Sequence, residues 1–306
     1  MDIVDKKIGF IFPGQGCQTV GMGKDFYENY DVSREIYDMA EEISKINIKK
    51  LCFQENEEIK LTQNMQICIF TTCVAILRAV QKEGLASSIN AGLSLGEYTA
   101  LAASDVINLE DIIRTVKNRG LYMQEAYRGE SSMVAITSRN IDLIESACRI
   151  SNGIVSIANY NGPMQTVITG EKSAVDSAVE YLVKNGIKNI VRLNVSGPFH
   201  CELMDSAKTK LSDFLENIVV NDFSIPYISN VSAEIVYDKK QVKDLLVRQV
   251  VSPVKWHQSV RVMIENGAEC FVEIGPGNSL TNLVRSIDRN VRKISISKIN
   301  DLYSLL

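Results

Sequence analysis

The chain has 306 residues, 45% hydrophobic and 23% charged, with a formal net charge of −4. That length suits one large domain, or one large domain carrying a smaller one, with chain enough for a proper core. Without a basic excess a nucleic-acid partner is not expected. With seven scattered cysteines, no CxxC pair and two histidines, neither is a metal site.

The N-terminus reads MDIVDKKIGFIFPGQG. Its apolar run, Ile8 to Phe12, is too short for a secretory signal and reads as a buried strand. The longest apolar stretch, near residues 67–80, is broken by threonines and Arg78, so no membrane span is expected and the chain reads as cytoplasmic. Cys68 and Cys73 fall within it and read as packing residues. Helical periodicity covers residues 25–43, 63–82, 97–103 and 109–127, with a short strand at 88–91 ending in Gly92. Strands alternating with helices predict a parallel sheet with helices on its faces.

The middle of the chain reads differently. Strands are expected at 133–137, 155–159, 165–169 and 189–195, with helices at 141–151 and 172–185, the second stopped by Gly186. This βαββαβ order is the ferredoxin-like pattern. The expected division is therefore residues 1–128 and 197–306 as one discontinuous α/β domain, with 129–196 as an inserted subdomain. The last third returns to the first pattern. Helical spacing covers 200–217, 241–250 and 259–266, and strands are expected at 227–229, 270–274 and 293–297, with a tight turn at Gly275-Pro276-Gly277.

Gly92-Leu93-Ser94-Leu95-Gly96 follows an apolar strand and precedes a helical run, the context a GxSxG nucleophile elbow requires. Small residues two positions either side of Ser94 would allow a turn too tight for larger ones. The hydroxyl then stands clear of the sheet at a helix N-terminus, where the Leu95 amide could hold a developing oxyanion. The competing reading is an ordinary turn with a serine cap. A serine nucleophile needs a base. His200, in Ser196-Gly197-Pro198-Phe199-His200, is placed after an apolar strand and at a helix start, where α/β sheets gather ligands. His257 reads as a packing or capping residue. The loop Pro13-Gly14-Gln15-Gly16 lacks phosphate-loop spacing and could supply a second oxyanion donor. Arg119 is either a solvated surface residue or a clamp for a substrate carboxylate.

Seven blocks, in order, give a more specific signal. They are FPGQGCQTVGMG (12–23), GLSLGEYTAL (92–101), NRGLYMQ (118–124), NYNGPMQTVITG (159–170), SGPFHCELM (196–204), LLVRQVVSPVKW (245–256) and EIGPGNSLTNL (273–283). The sequence resembles the malonyl-CoA:acyl carrier protein transacylases along nearly its whole length. The resemblance implies an α/β-hydrolase-like core with an inserted ferredoxin-like subdomain. It implies malonyl transfer from coenzyme A to the phosphopantetheine thiol of an acyl carrier protein, for fatty acid or polyketide synthesis. Ser94 would be the nucleophile and His200 the base. The amides of Gln15 and Leu95 would form the oxyanion hole, and Arg119 would pair with the malonyl carboxylate. The main-chain carbonyl of Gln249 would orient the histidine, and Asn159 and Gln66 would line the site. Phe199 would narrow the pocket against a branched methylmalonyl group. No bound cofactor is expected, malonyl-CoA being substrate, and the family implies a monomer. Leu93 departs from the family, which usually has histidine there; activity is expected to survive, with an altered pocket or pH profile. Two alternatives stay open: an acyl hydrolase of a polyketide pathway, and a catalytically silent carrier-protein-binding module.

Overall fold

The structure is a computed structural model in which residues 7–305 are described; residues 1–6, part of the N-terminal segment read above, and residue 306 lie outside them. The strands among the described residues are, in chain order, β1 (Ile8–Phe12), β2 (Ile89–Gly92), β3 (Ser131–Thr137), β4 (Val155–Gly162), β5 (Gln165–Glu171), β6 (Ile190–Arg192), β7 (Tyr227–Ile228), β8 (Ile235–Val236), β9 (Cys270–Ile274) and β10 (Arg292–Ile296). They form two sheets. The larger has the order β10-β9-β1-β2-β7-β8, parallel except for the β7–β8 pair. Every residue of the central β1 is buried. A strand covered on both faces needs no polar alternation, which is why IGFIF reads as an unbroken apolar run.

The two faces of that sheet are packed separately. Phe10 and Phe12 point into a large layer that includes the 21-residue helix Thr62–Lys82. Ile11, between them, points the other way and packs with Ala91, Trp256 and Val260, as the period of two along a strand demands. The helix Thr62–Lys82 corrects one expectation. By length and composition it could cross a membrane, despite its threonines and Arg78, but 78% of its apolar window is buried inside the protein. Its apolar character is that of a core helix. Cys68 and Cys73 lie on it, both buried, and act as packing residues.

The smaller sheet has the order β4-β5-β3-β6 and is antiparallel throughout. The helices Ile141–Ile150 and Lys172–Lys184 pack on it around a separate core that includes Val134, Ile144, Ile168 and Leu182. Chain order and spatial order are both ferredoxin-like. One isolated bridge ties this sheet to the larger unit. The Val254 amide donates to the Ala158 carbonyl at 2.8 Å, and the Tyr160 amide donates to the Val254 carbonyl at 2.9 Å.

Several boundaries differ from those read in the sequence. The helix expected at 25–43 is two helices, Lys24–Asn29 and Asp31–Ser44, because Tyr30 between them is extended (φ −125°, ψ 121°) with its ring buried. The apolar spacing runs on across the break and hides it. The strand expected at 189–195 is only β6, since residues beyond Leu193 have no ladder partner. The helices Ile48–Phe53, Ser279–Ile287 and Ile299–Tyr303 and the strand β8 were not anticipated, being short or lying next to glycine-rich turns.

Candidate active site

Ser94 sits where β2 ends and the helix Gly96–Ala103 begins, at the carboxyl end of the parallel strands. Its φ is +53°, a left-handed conformation that non-glycine residues adopt rarely and mostly under constraint. The flanking glycines are sterically required. A Cβ on Gly92 would lie 2.0 Å from the Gly96 carbonyl carbon, and one on Gly96 would lie 2.0 Å from the Phe12 carbonyl oxygen. The segment therefore has the tight, glycine-flanked geometry of a nucleophile elbow and is not a loose capped turn. Asn230, just past β7, holds it from below. Its side-chain oxygen accepts from the Ser94 amide at 2.7 Å, and its Nδ2 donates to the Gly92 carbonyl at 2.7 Å.

The Ser94 hydroxyl is 2.8 Å from Nε2 of His200. The other ring nitrogen, Nδ1, is 2.9 Å from the main-chain carbonyl of Gln249. A carbonyl only accepts, so Nδ1 carries the proton and Nε2 is left to accept from the serine. His200 is 4% exposed, and burial first, then the nearby Arg119 guanidinium, push its pKa down to about 4. It is neutral at pH 7, the state a base requires.

The route by which His200 arrives differs from the sequence reading. It does not follow a strand of the parallel sheet and does not open a regular helix. It lies in a turn with φ +65°, after the irregular stretch leaving β6 of the small sheet and before a short 3₁₀ turn, Glu202–Met204. The helix proper begins only at Asp205.

Arg119 is fully buried, which removes the surface alternative. Its Nη2 donates to the Ser94 hydroxyl oxygen at 3.1 Å and to Gln249 Oε1 at 3.0 Å, and its Nη1 donates to Gln66 Oε1 at 2.7 Å. The guanidinium lies over the Tyr98 ring, 5.2 Å from its centroid, and Nε has no partner. Gln66 in turn donates to Gln15 Oε1 at 2.9 Å. One hydrogen-bonded chain thus runs from the Gln15 loop through Gln66 and Arg119 to Ser94 and His200. The backbone amides of Gln15 and Leu95 donate to no protein group among the described residues. The Ser94 amide is already taken by Asn230.

Two cavities flank this chain in the cleft between the sheets. One, of about 510 Å³, has His200 in its wall with Cys148, Tyr160 and Pro253. The other, of about 440 Å³, is lined by Gln15, Lys60, Met65 and Leu193.

Two anticipated site residues, Asn159 and Phe199, stand outside the hydrogen-bonded chain, as does His257, read as a packing or capping residue. Asn159 is buried on β4 beside the Val254 bridge and makes no side-chain hydrogen bond to it. Phe199 is buried with its ring against Gly197. His257 is half-buried in the wall of a different cavity, with Arg139 and Lys255. Leu93 packs at the edge of the apolar layer around Trp256, with its side chain also against Gly14 of the Gln15 loop.

The sequence reading missed two residues. Glu97 is fully buried and accepts from Gln249 Nε2 at 2.5 Å and from the Asn230 amide at 3.2 Å. Its signal was available, a charge in the first turn of an otherwise apolar helix, GEYTALAA. Asn230 carries no such signal, since asparagine after a strand is common turn chemistry.

Comparison with known proteins gives a consistent result. Residues 9–299 match the acyl transferase domain family. A malonyl CoA-acyl carrier protein transacylase of Bacillus subtilis (strain 168) is 38% identical over 296 residues, covering 95% of this chain and 93% of the relative. A crystal structure of a malonyl CoA-acyl carrier protein transacylase from Clostridium perfringens superposes with a TM-score of 0.94 at 40% identity, covering 97% of this chain and 95% of that one. A type II PKS acyl-carrier protein in complex with its malonyl-transacylase matches with a TM-score of 0.95 at 35% identity, covering 98% and 99%.

Proposed function

The chain belongs to the malonyl CoA-acyl carrier protein transacylase family, and from that premise we propose how its own residues move a malonyl group from coenzyme A to an acyl carrier protein. Ser94 is the nucleophile. As its oxygen attacks the thioester carbonyl carbon, its proton passes to Nε2 of His200, and the Gln249 carbonyl steadies the imidazolium through Nδ1. The carbonyl oxygen gains charge and is met by the Gln15 and Leu95 amides, the second at a helix N-terminus. The carbon–sulfur bond breaks, His200 returns the proton to the leaving thiolate, and a malonyl-serine ester remains. The phosphopantetheine thiol of the carrier protein then repeats the steps in reverse.

Arg119 selects the acyl group. A malonyl chain has a single methylene between its two carbonyl carbons, so its carboxylate must lie close to the serine oxygen. A guanidinium already 3.1 Å from that oxygen is placed for it. An acetyl group brings no carboxylate and forgoes the charge-assisted hydrogen bonds that a malonyl group makes to the guanidinium, which disfavours it. Phe199, beside the base, narrows the space left for a branched acyl group. The seven cysteines, none in a disulfide, accord with a reducing cytoplasmic setting, and the enzyme works as a monomer.

The observation that carries this reading is the Ser94–His200 contact at 2.8 Å. Intact-mass measurement after mixing with malonyl-CoA tests it. One malonyl adduct is expected on the parent and none on Ser94→Ala, with the adduct discharged by holo carrier protein faster than by water. An adduct that survives in Ser94→Ala, or one lost to water at an equal rate, contradicts it.

A further inference from the structure

Among the described residues, Glu97 is the one carboxylate joined by hydrogen bonds to this site. Its Oε2 accepts from Gln249 Nε2 and from the Asn230 amide. Those partners are the two that hold the machinery. Asn230 clamps both sides of the elbow, while the Gln249 side chain also donates to the Ser94 carbonyl at 3.0 Å and accepts from Arg119. Glu97 thus fixes which end of the Gln249 amide faces Arg119. With Nε2 committed to Glu97 and Ser94, only Oε1 remains for the guanidinium. The other carboxylate oxygen, Oε1, is buried without a partner.

No salt-bridge partner lies within 4.0 Å of Arg119 among the described residues. Glu97, one glutamine away, is the nearest negative charge in its network. An arriving malonyl carboxylate competes for the same guanidinium. Two carboxylates around one buried cation cannot both stay ionised cheaply.

We propose that Glu97 is a positioning residue that sets Arg119 through Gln249, supplies its counter-charge in the resting enzyme, and takes a proton from solvent when the malonyl carboxylate arrives. The inference rests on Arg119 receiving that carboxylate. The proton bonds to an oxygen of Glu97, and no other bond changes. The groups facing Glu97 fit this role. Arg119 alone is cationic. Tyr98, on its own helix, and Tyr227, on β7, both have their hydroxyl ionisation pushed up by burial and by Glu97, so neither competes as an anion. Ser229, Asn230 and Gln249 are neutral donors. Burial pushes Glu97 up to about 7 against the pull of these donors and of Arg119, so a second negative charge nearby moves it across neutrality.

The test is proton uptake during acylation, read with a pH indicator in weakly buffered solution at pH 7.5, with intact mass counting the adduct. The parent is expected to take up about half a proton per malonyl adduct, a like charge raising such a group by one unit or more. It takes up none per acetyl adduct, a control that cancels the coenzyme A thiol. Glu97→Gln keeps an oxygen acceptor for Gln249 and Asn230 and should form the malonyl adduct more slowly, without proton uptake. In the parent, the KM for malonyl-CoA should rise up to about tenfold between pH 6.5 and 8.5 while that for acetyl-CoA stays flat, because ionised Glu97 competes with malonyl alone. This second measurement needs no variant. Zero uptake in the parent, equal uptake in Glu97→Gln, or a flat malonyl KM overturns the inference. If Arg119→Met lowers malonyl and acetyl adducts equally, or no adduct forms at all, the reading of the site fails and this inference with it. A selective Arg119→Met with no proton taken up condemns the Glu97 role alone.

Discussion

Ser94 and His200 meet across the cleft from two different kinds of scaffold. Ser94 stands on the parallel sheet, in a turn whose tightness needs Gly92 against the Gly96 backbone and Gly96 against the Phe12 carbonyl at the end of β1. His200 comes from the irregular chain leaving the antiparallel sheet. Its ring is aimed by a carbonyl from Gln249, and residues shortly after Gln249 are bridged to β4 through Val254. Both residues have positive φ, +53° and +65°, a conformation costing a non-glycine residue about 1–3 kcal/mol. The elbow is maintained from within the parallel-sheet unit, by backbone sterics and by the Asn230 clamp. The His200 ring is maintained by contacts between the two units of the fold. Insult to the first should act on folding and chemistry together, and insult to the second on chemistry more than on folding.

That contrast can be broken most severely at Gly92. A methyl group there meets the Gly96 backbone at 2.0 Å with nothing flexible to give way. Gly92→Ala is expected to cost about 3 kcal/mol or more in urea unfolding, with adduct formation abolished. A variant of parent stability and activity would show that the elbow tolerates slack.

Arg119 sits between the two scaffolds and tests selectivity. Arg119→Met should lower malonyl transfer about a thousandfold, the scale of losing a buried charge pair, while acetyl transfer is spared or rises. Arg119 also helps hold the His200 pKa down, so the acid limb of the remaining acetyl transfer should move to higher pH in this variant. An unmoved limb would mean that burial alone sets the base.

The two scaffolds also carry opposite pH signatures. His200 is lowered from 6.5 to about 4, so its contribution to stability is present above 6.5 and lost as pH falls through that window. Glu97 is raised from 4.5 to about 7, so its contribution is present below 4.5 and lost as pH rises to 7. They oppose each other over most of the range. Glu97→Gln removes one of them, and its stability relative to the parent should rise by about 3 kcal/mol between pH 4.5 and 7.5. A difference that does not change with pH would contradict the Glu97 assignment.

The mildest intervention is at the bridge between the units. Val254→Pro removes the amide that donates to Ala158. Acylation should fall about tenfold, as expected for a small misplacement of the base, with little change in the global unfolding midpoint. A loss of stability without loss of rate would reverse the proposed division of labour.

This division also explains what could be read from the chain. The elbow was legible because its residues are adjacent in the chain: Gly92 and Gly96 are small for steric reasons, and Ser94 lies between them. The ferredoxin-like unit was legible because short apolar strands alternate with two helical segments, punctuated by the Asn161-Gly162-Pro163 turn and by Gly186. His200 was picked out because only two histidines exist, and its strand context was misread, since β6 belongs to the other sheet. The burial of Arg119, the clamp by Asn230 and the bridge at Val254 depend on residues far apart in the chain, and no local pattern announces them. Glu97 lay in plain sight, as a charge in a helix whose every residue is buried.

The most direct test of the account is the single-turnover rate at which Ser94 is acylated by malonyl-CoA as a function of pH, in the parent and in His200→Ala. The parent should hold its rate from neutrality down to about pH 5 and then fall as the imidazole protonates. The variant should be slower by about three orders of magnitude at pH 7 and should lose that acid limb. A variant that acylates at the parent's rate, or keeps the same acid limb, would show that His200 is not the base.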